Sequence, residues 1–252
     1  MSLGPTRRAA DLPLRYNAVE ILERNLTKRS HHTALLSDGR EMTFGEVSAE
    51  VNQAGHALKS IGVREGDAVG FLSLDTAEWA ISFFGCLKVG AVTVGMNTLL
   101  TPKELAYILI DAGAQVLLVH TALMDVAKEA LELTNHVGHV VVIGGDGDLP
   151  EGWAHYADWI AGRPTELTAA DTHRADFSTL NYSSGTTGAP KGIYHAHQDC
   201  PLTAQLWGED VLGMTSEDRT FSVAKLFFTF GLGGNLLFPW SVGASVVLYA
   251  GS

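Results

Sequence analysis

Cysteine is scarce in this chain of 252 residues. There are two, Cys86 and Cys200, and neither sits in a CxxC spacing. That speaks against a disulfide-stapled scaffold and a thiolate metal site, and leaves free thiols in a reducing cytoplasm as the expected state. Positive charge is also in short supply, with 17 Lys+Arg against 28 Asp+Glu and a net charge of −11. No Lys/Arg cluster interrupts that excess. A nucleic-acid backbone or an anionic membrane surface is therefore not an expected partner, although a local basic pocket can still hold a phosphate. Long apolar runs are missing: none reaches the ~18 residues of a membrane span. Residues 1–17 lack the apolar core of a secretory signal. No internal repeat or low-complexity tract is visible. The expected location is cytoplasmic.

What is present is an ordinary globular composition, 46% hydrophobic, and enough chain for one large domain or two smaller ones. Strands and helices alternate along it. Thr43-Phe-Gly-Glu46 reads as a capping box, and Phe44, Val47, Val51, Ala54, Leu58 and Ile61 recur at steps of three and four behind it. That spacing is one apolar face of a helix, which Gly62 stops. Ala68–Leu72 reads as a strand. Asp75-Thr-Ala-Glu78 reads as the cap of a second helix running to about Val89. Ala91–Val94 reads as a strand, and Thr101-Pro-Lys-Glu104 opens a third helix with proline at its first position. Gln115–His120, Leu123–Leu133 and Val140–Ile143 continue the alternation. Gly152–Ile160 and Pro201–Leu212 read as helices; Ser178–Tyr182, Gly192–His197 and Ala244–Tyr249 read as strands. Strands separated by single helices imply parallel pairing with right-handed crossovers. The expected fold is α/β, with mainly parallel sheets flanked by helices.

The chemistry concentrates between two of those strands, in Tyr182-Ser-Ser-Gly-Thr-Thr-Gly-Ala-Pro-Lys-Gly192. Glycines let backbone N–H groups converge on one concavity, hydroxyls add donors, and a lysine adds a point charge: a clamp for a polyphosphate. The usual P-loop does not fit, because Pro190 stands where it needs glycine. Gly231-Leu-Gly-Gly234 comes near a dinucleotide fingerprint but has Leu236 where glycine is required. A serine nucleophile would need a glycine before Tyr182-Ser-Ser in a GxSxG elbow, and none precedes it. The bland alternative is a Ser/Thr/Gly turn of no function.

The full string resembles the signature loop of the adenylate-forming superfamily, which includes acyl- and aryl-CoA ligases, luciferases and peptide-synthetase adenylation domains. The resemblance extends to Met42-Thr-Phe-Gly-Glu46 and to Gly90-Ala-Val-Thr-Val-Gly-Met-Asn97. Ser222-Val-Ala-Lys-Leu-Phe-Phe-Thr-Phe-Gly-Leu-Gly-Gly234 is most similar to the benzoate–CoA ligase branch. The resemblance implies a layered α-β-α-β-α large domain and two half-reactions. A carboxylate attacks the α-phosphorus of ATP to give an acyl-adenylate and pyrophosphate, and the CoA thiol then displaces AMP. It further implies that Ser183, Ser184, Gly185, Thr186, Thr187, Gly188 and Lys191 hold the β- and γ-phosphates. Thr186 or Thr187 would help position Mg²⁺. Phe230 would be the wall of the acid pocket, with Phe227, Phe228 and Gly231 beside it, while Phe227 and Phe228 also suit a core role.

In that family a Tyr-Gly-x-Thr-Glu motif, a ribose-binding aspartate, a hinge and a small C-terminal domain with a catalytic lysine follow the second segment. None is found in residues 1–252. The expectation is therefore an incomplete large domain, with a first βα region over 1–162 and a second over 163–252 carrying the ATP loop. No catalytic residue is expected inside it, and little ligase activity from it alone. Partners implied are ATP, CoA and a small carboxylic acid, with a homo-oligomer open. The absence of a carboxylate in Leu226–Gly231 disfavours an amino-acid substrate, whose buried ammonium would go unpaired. A medium- or long-chain fatty acid ligase and a non-catalytic nucleotide-binding module remain alternatives. His195 and His197, expected on one face of one strand, form a possible metal pair with no evident third ligand. Lys225 is either an anion-facing lysine or a surface one.

Overall fold

The structure, a computed structural model, describes residues 5–183 and 189–251. Two short helices, α1 (Glu20–Glu23) and α2 (Leu26–Arg29), precede the hairpin β1 (Thr33–Ser37) and β2 (Arg40–Thr43). The hairpin turns on Asp38 and Gly39, both at positive φ (47° and 80°), the conformation a two-residue turn needs to match strand twist. There follow α3 (Phe44–Ser60), β3 (Ala68–Leu72), α4 (Ala77–Val89), β4 (Val92–Gly95), α5 (Pro102–Asp111), β5 (Val116–His120), α6 (Met124–Glu132) and β6 (His139–Ile143). The second part comprises β7 (Trp153–His155), α7 (Tyr156–Ile160), β8 (Phe177–Ser183), β9 (Lys191–Ala196), α8 (Asp199–Thr203), β10 (Arg219–Phe221), α9 (Thr229–Leu232), α10 (Phe238–Val242) and β11 (Ser245–Leu248).

The capping boxes do what their residues require. Thr43 accepts from the Glu46 N–H while Glu46 accepts from the Thr43 N–H, and Thr101 and Glu104 repeat the exchange at α5. The start of α4 differs from the sequence expectation. Thr76, not Asp75, is its cap and accepts from the Trp79 N–H, because the Asp75 carboxylate is engaged elsewhere. Gly152–Ile160 is not one helix: its first half is the edge strand β7, paired with β6. Pro201–Leu212 is not one α-helix either, since α8 begins at Asp199 and gives way to a π-helical turn over Ala204–Glu209.

Seven strands form one sheet in the order β7-β6-β5-β3-β4-β8-β9, parallel except for the antiparallel β8–β9 hairpin. Alternate residues of β5 serve opposite faces. Val116 and Leu118 join the cluster that holds α3 and α4, while Leu117 and Val119 join the cluster that holds α5 and α6. Both faces of the central strands are thus covered, which is why β3, β5 and β6 read as nearly unbroken apolar runs. The other sheet has four strands in the order β10-β11-β1-β2.

The regions expected on either side of residue 162 share both sheets. The loop-bearing strands β8 and β9 belong to the same sheet as β3 to β7, and the second sheet joins residues 33–43 to residues 219–248. Parallel pairing of Leu35 with Val246 makes that junction, and Trp240 locks it. Its ring lies 5.1 Å from Phe84 of α4, and its indole N–H donates to the Ala34 carbonyl at 3.0 Å. One core therefore spans both regions. Among the described residues no helix is long and apolar enough to cross a membrane.

Candidate functional site

In an open parallel sheet the turns that leave the carboxyl ends of the strands are free to gather around a ligand. Here those turns follow β3, β4 and β8. The parallel register of β4 with β8, Thr93 opposite Thr179 and Gly95 opposite Asn181, brings the last two together. The glycine-rich loop leaves from Ser183, the last residue of β8, and returns at Lys191, the first of β9, and the two are register partners. The expectation that this loop joins two strands is met. Ser184, Gly185, Thr186, Thr187 and Gly188, with the Mg²⁺ role expected for the two threonines, lie outside the described residues. Ser183 and Lys191 are both exposed.

The root of the hairpin is fastened from several sides. The Tyr182 hydroxyl donates to the Asp111 carboxylate at the end of α5, at 2.6 Å. Burial and that neighbouring carboxylate both push the phenol above its ordinary range. The Ser178 hydroxyl donates to the His195 carbonyl across the pair at 3.1 Å, and the rings of Phe177 and Tyr194 stack 4.2 Å apart. Just past β9, His197 is buried and its Nδ1 accepts from the Ala18 N–H at 3.1 Å. Burial drives its pKa down to about 4 against the opposing pull of Asp176.

His195 and His197 do not share one strand, because β9 ends at Ala196. His195 Nδ1 approaches the Asp199 carboxylate at 3.7 Å, while His197 faces Ala18. Among the described residues no group of three His, Cys, Asp or Glu side chains is placed to hold a metal. Cys86 and Cys200 are free thiols in the interior, and burial pushes Cys200 up to about 12.

Beside the loop lies a cleft of about 140 Å³ whose lining includes Asn97, Tyr182, Ser183, Pro190, Phe227 and Phe228. The aromatic segment reaches it from the far end of the chain. Phe227 is 7% exposed, and its backbone lies so close to Gly95 that a Cβ there would stand 3.1 Å from the Phe227 Cα. Phe228 departs from its expected core role. It precedes the first turn of α9 with an extended backbone and is 47% exposed, tilted against Phe227 at 4.5 Å. Phe230, the second residue of α9, is 80% exposed and does not line this cleft. Gly231 is buried within its own segment, and a side chain there would strike the carbonyls of Ala224 and Lys225.

Lys225 is engaged with the main chain after β11. Its ammonium donates to the carbonyls of Gly251 (2.7 Å) and Tyr249 (3.4 Å). The sequence reading did not single out Asn97 or Tyr182 as cleft residues. Both flank motifs it did quote, and only the pairing of β4 with β8 makes them neighbours.

The arrangement joins an exposed cationic hairpin to a partly apolar, aromatic-walled cleft, which suits a polyphosphate beside a flat organic group. Comparison with known proteins places the chain in a family. Residues 22–252 match the profile of the AMP-binding enzyme family. A benzoate–CoA ligase of Thauera aromatica is 38% identical over 248 residues, 97% of this chain and 46% of that protein. The crystal structure of an anthranilate CoA ligase in complex with anthranoyl-AMP superposes with a TM-score of 0.94 at 57% identity, covering 97% of this chain and 47% of that one. A benzoate CoA ligase from Burkholderia xenovorans LB400 gives a TM-score of 0.84 at 32% identity, over 94% of this chain and 46% of that one. The chain thus spans about half the length of the relatives it matches. Motif, sheet topology and nearly end-to-end similarity converge on one conclusion: the chain belongs to the AMP-binding enzyme family.

Proposed function

We propose that this chain is the ATP-phosphate-binding half of an AMP-forming acid–CoA ligase that activates benzoate or a related aryl acid. The observation that carries the proposal is the β8–β9 hairpin. It delivers Ser183 and Lys191 to the carboxyl end of the parallel sheet, directly beside a cleft walled by Phe227 and Phe228. In this reading the loop from Ser183 to Lys191 grips the β- and γ-phosphates through backbone N–H groups, hydroxyls and the lysine ammonium. Its work is electrostatic positioning, so that the acid carboxylate meets the α-phosphorus in line and pyrophosphate departs. Mg²⁺ would be held by the hydroxyl of Thr186 or Thr187, hard oxygen donors of the kind this ion takes, and would offset charge on the phosphates.

Phe228 and Phe230, the exposed aromatics of the second segment, supply the flat surface against which an aryl ring packs; such ring pairs contribute about 0.5–1.5 kcal/mol beyond burial. The groups that act on the adenylate and on the CoA thiol are assigned to the length of the relatives that this chain does not span. A relative solved with anthranoyl-AMP, an aryl adenylate, supports both the reaction class and the acid class.

The test is ATP–pyrophosphate exchange by a full-length protein carrying this sequence, offered benzoate, 2-aminobenzoate, 3- and 4-hydroxybenzoate and octanoate. Exchange with the aryl acids and not with octanoate is expected. Exchange with octanoate alone removes the aryl assignment and leaves the ATP loop standing. No exchange with any acid removes the ligase reading.

A further inference from the structure

Asp75 lies in the turn between β3 and α4, where a carboxylate would ordinarily cap the helix. Thr76 does that work instead. The Asp75 side chain, 4% exposed, crosses to the aromatic segment, where its Oδ1 accepts the backbone N–H of Leu226 at 3.0 Å, from a residue 151 positions away. Withdrawing a carboxylate from water is costly unless it is well hydrogen-bonded. Burial indeed raises its pKa, opposed by the Leu226 N–H and by the charge of Lys225. A fold that accepts that cost gains one thing here: a charge-assisted bond to an interior N–H at the residue just before the aromatic run.

Everything after that bond is a tight turn. The Phe228 N–H returns to the Lys225 carbonyl at 3.0 Å, and the Leu232 N–H to the Phe228 carbonyl at 2.9 Å. Gly231 packs on the carbonyls of Ala224 and Lys225, where no side chain fits. The turn therefore behaves as one piece, and where it sits is decided by its tethers to the sheet. Besides Asp75 these are the close approach of Gly95 to Phe227 and a long contact, 3.5 Å, from the Asn181 amide to the Phe227 carbonyl. The Lys225 ammonium also holds the turn, to the Gly251 carbonyl beyond β11 at 2.7 Å; toward the seven-stranded sheet, Asp75 supplies the one of these described hydrogen bonds that is both short and charged.

We propose that Asp75 is a positioning residue for acid selectivity: through the Leu226 N–H it fixes where Phe228 and Phe230 stand relative to Ser183 and Tyr182 at the root of the β8–β9 hairpin. The role in selectivity rests on the aryl-ligase reading above, whereas the tether itself does not.

Two measurements separate those parts. The first is hydrogen exchange by mass spectrometry on residues 1–252. Asp75→Ala is expected to speed exchange in peptides covering 222–232 by about ten-fold or more, the scale for losing a hydrogen bond to a charged group, with β3, β4 and β5 unchanged. Asp75→Asn, whose amide oxygen can still accept, is expected to restore most of the protection. Should Asp75→Ala fail to fold, Asp75→Ser, too short to reach Leu226, takes its place. Unchanged exchange over 222–232, or a uniform loss that spreads through α4 and β3, overturns the tether.

The second measurement is steady-state kinetics in the full-length protein. Asp75→Ala is expected to raise KM for benzoate by about five-fold or more, with KM for ATP moved less than about two-fold and partial rescue by Asp75→Asn. Equal rises in both constants overturn the selectivity role, as does a benzoate KM that stays put. If the parent turns over no aryl acid, the ligase reading fails while the exchange measurement still decides the tether.

Discussion

The β8–β9 hairpin and the aromatic segment face each other across the cleft, yet they are built in opposite ways. The hairpin is local. Its two strands are consecutive in the chain and are joined to each other by backbone bonds and the Phe177–Tyr194 stack. The aromatic segment has almost no regular structure before Thr229. It is positioned by groups borrowed from Asp75, Gly95 and Asn181, which follow three different strands or lie within them. A local device can be swapped or read as a motif. A borrowed one can be tuned at a distance, by residues that never touch the ligand.

The largest expected effect tests how the hairpin's exit is anchored. His197 has a folded pKa of about 4 against 6.5 for the free side chain. The unfolded chain therefore takes up a proton first as the pH falls. Stability is complete above pH 6.5 and declines down to about pH 4, by about 3 kcal/mol from this group, and is flat with respect to it below that. Urea unfolding of residues 1–252 at pH 7 and pH 4.5, compared with His197→Gln, measures it. The variant should lose most of the difference. An identical pH slope in parent and variant would show that the ring is not held neutral against Ala18.

Next in size, Lys191→Ala in a full-length protein should slow the pyrophosphate-forming half-reaction by about a hundred-fold, the scale for removing one preorganised charge-stabilising donor. CoA transfer from a preformed acyl-adenylate should change little, since the phosphates the lysine serves have already left. Equal losses in both half-reactions would make Lys191 a structural residue of β9.

Gly231→Ala probes the opposite wall. A Cβ there meets backbone carbonyls, which cannot swing aside as a side-chain tip can. A loss of about 1–3 kcal/mol is expected, read from the urea midpoint of residues 1–252, with faster exchange confined to 222–234. A neutral variant would mean that the turn is loose. Smallest is Phe230→Ala, expected to lower kcat/KM for benzoate by roughly ten-fold in the full-length protein, equivalent to about 1.4 kcal/mol. If the aromatic segment is the tuned side, this variant should also accept bulkier acids. A parent that prefers fatty acids would refute the aryl assignment at once.

Which features were legible follows the same contrast. The capping boxes at Thr43 and Thr101 were readable because an N-cap and its N3 partner are three residues apart. So were the apolar runs of β3 and β5, since a strand buried on both faces has no polar interruption. The Asp38-Gly39 turn was an available signal for the β1–β2 hairpin that the pattern reading passed over. Asp75 was misread because the residue before Thr76 satisfies the same local rule as a cap, and nothing local reveals a bond to Leu226. Phe228 was taken for core because three phenylalanines in four positions carry no sign of which one the backbone turns outward.

The sequence by itself determined the alternating helices and strands, and the glycine-rich segment's place between two strands. Each depends on residues within a few positions of one another. Only the tertiary structure decided that residues 33–43 and 219–248 form one sheet, that β8 lies against β4, and that Asp75 holds the aromatic run. Those are long-range pairings, chosen by which buried faces and unsatisfied backbone groups can be matched at once in a single packed core. No local stretch of sequence contains that information.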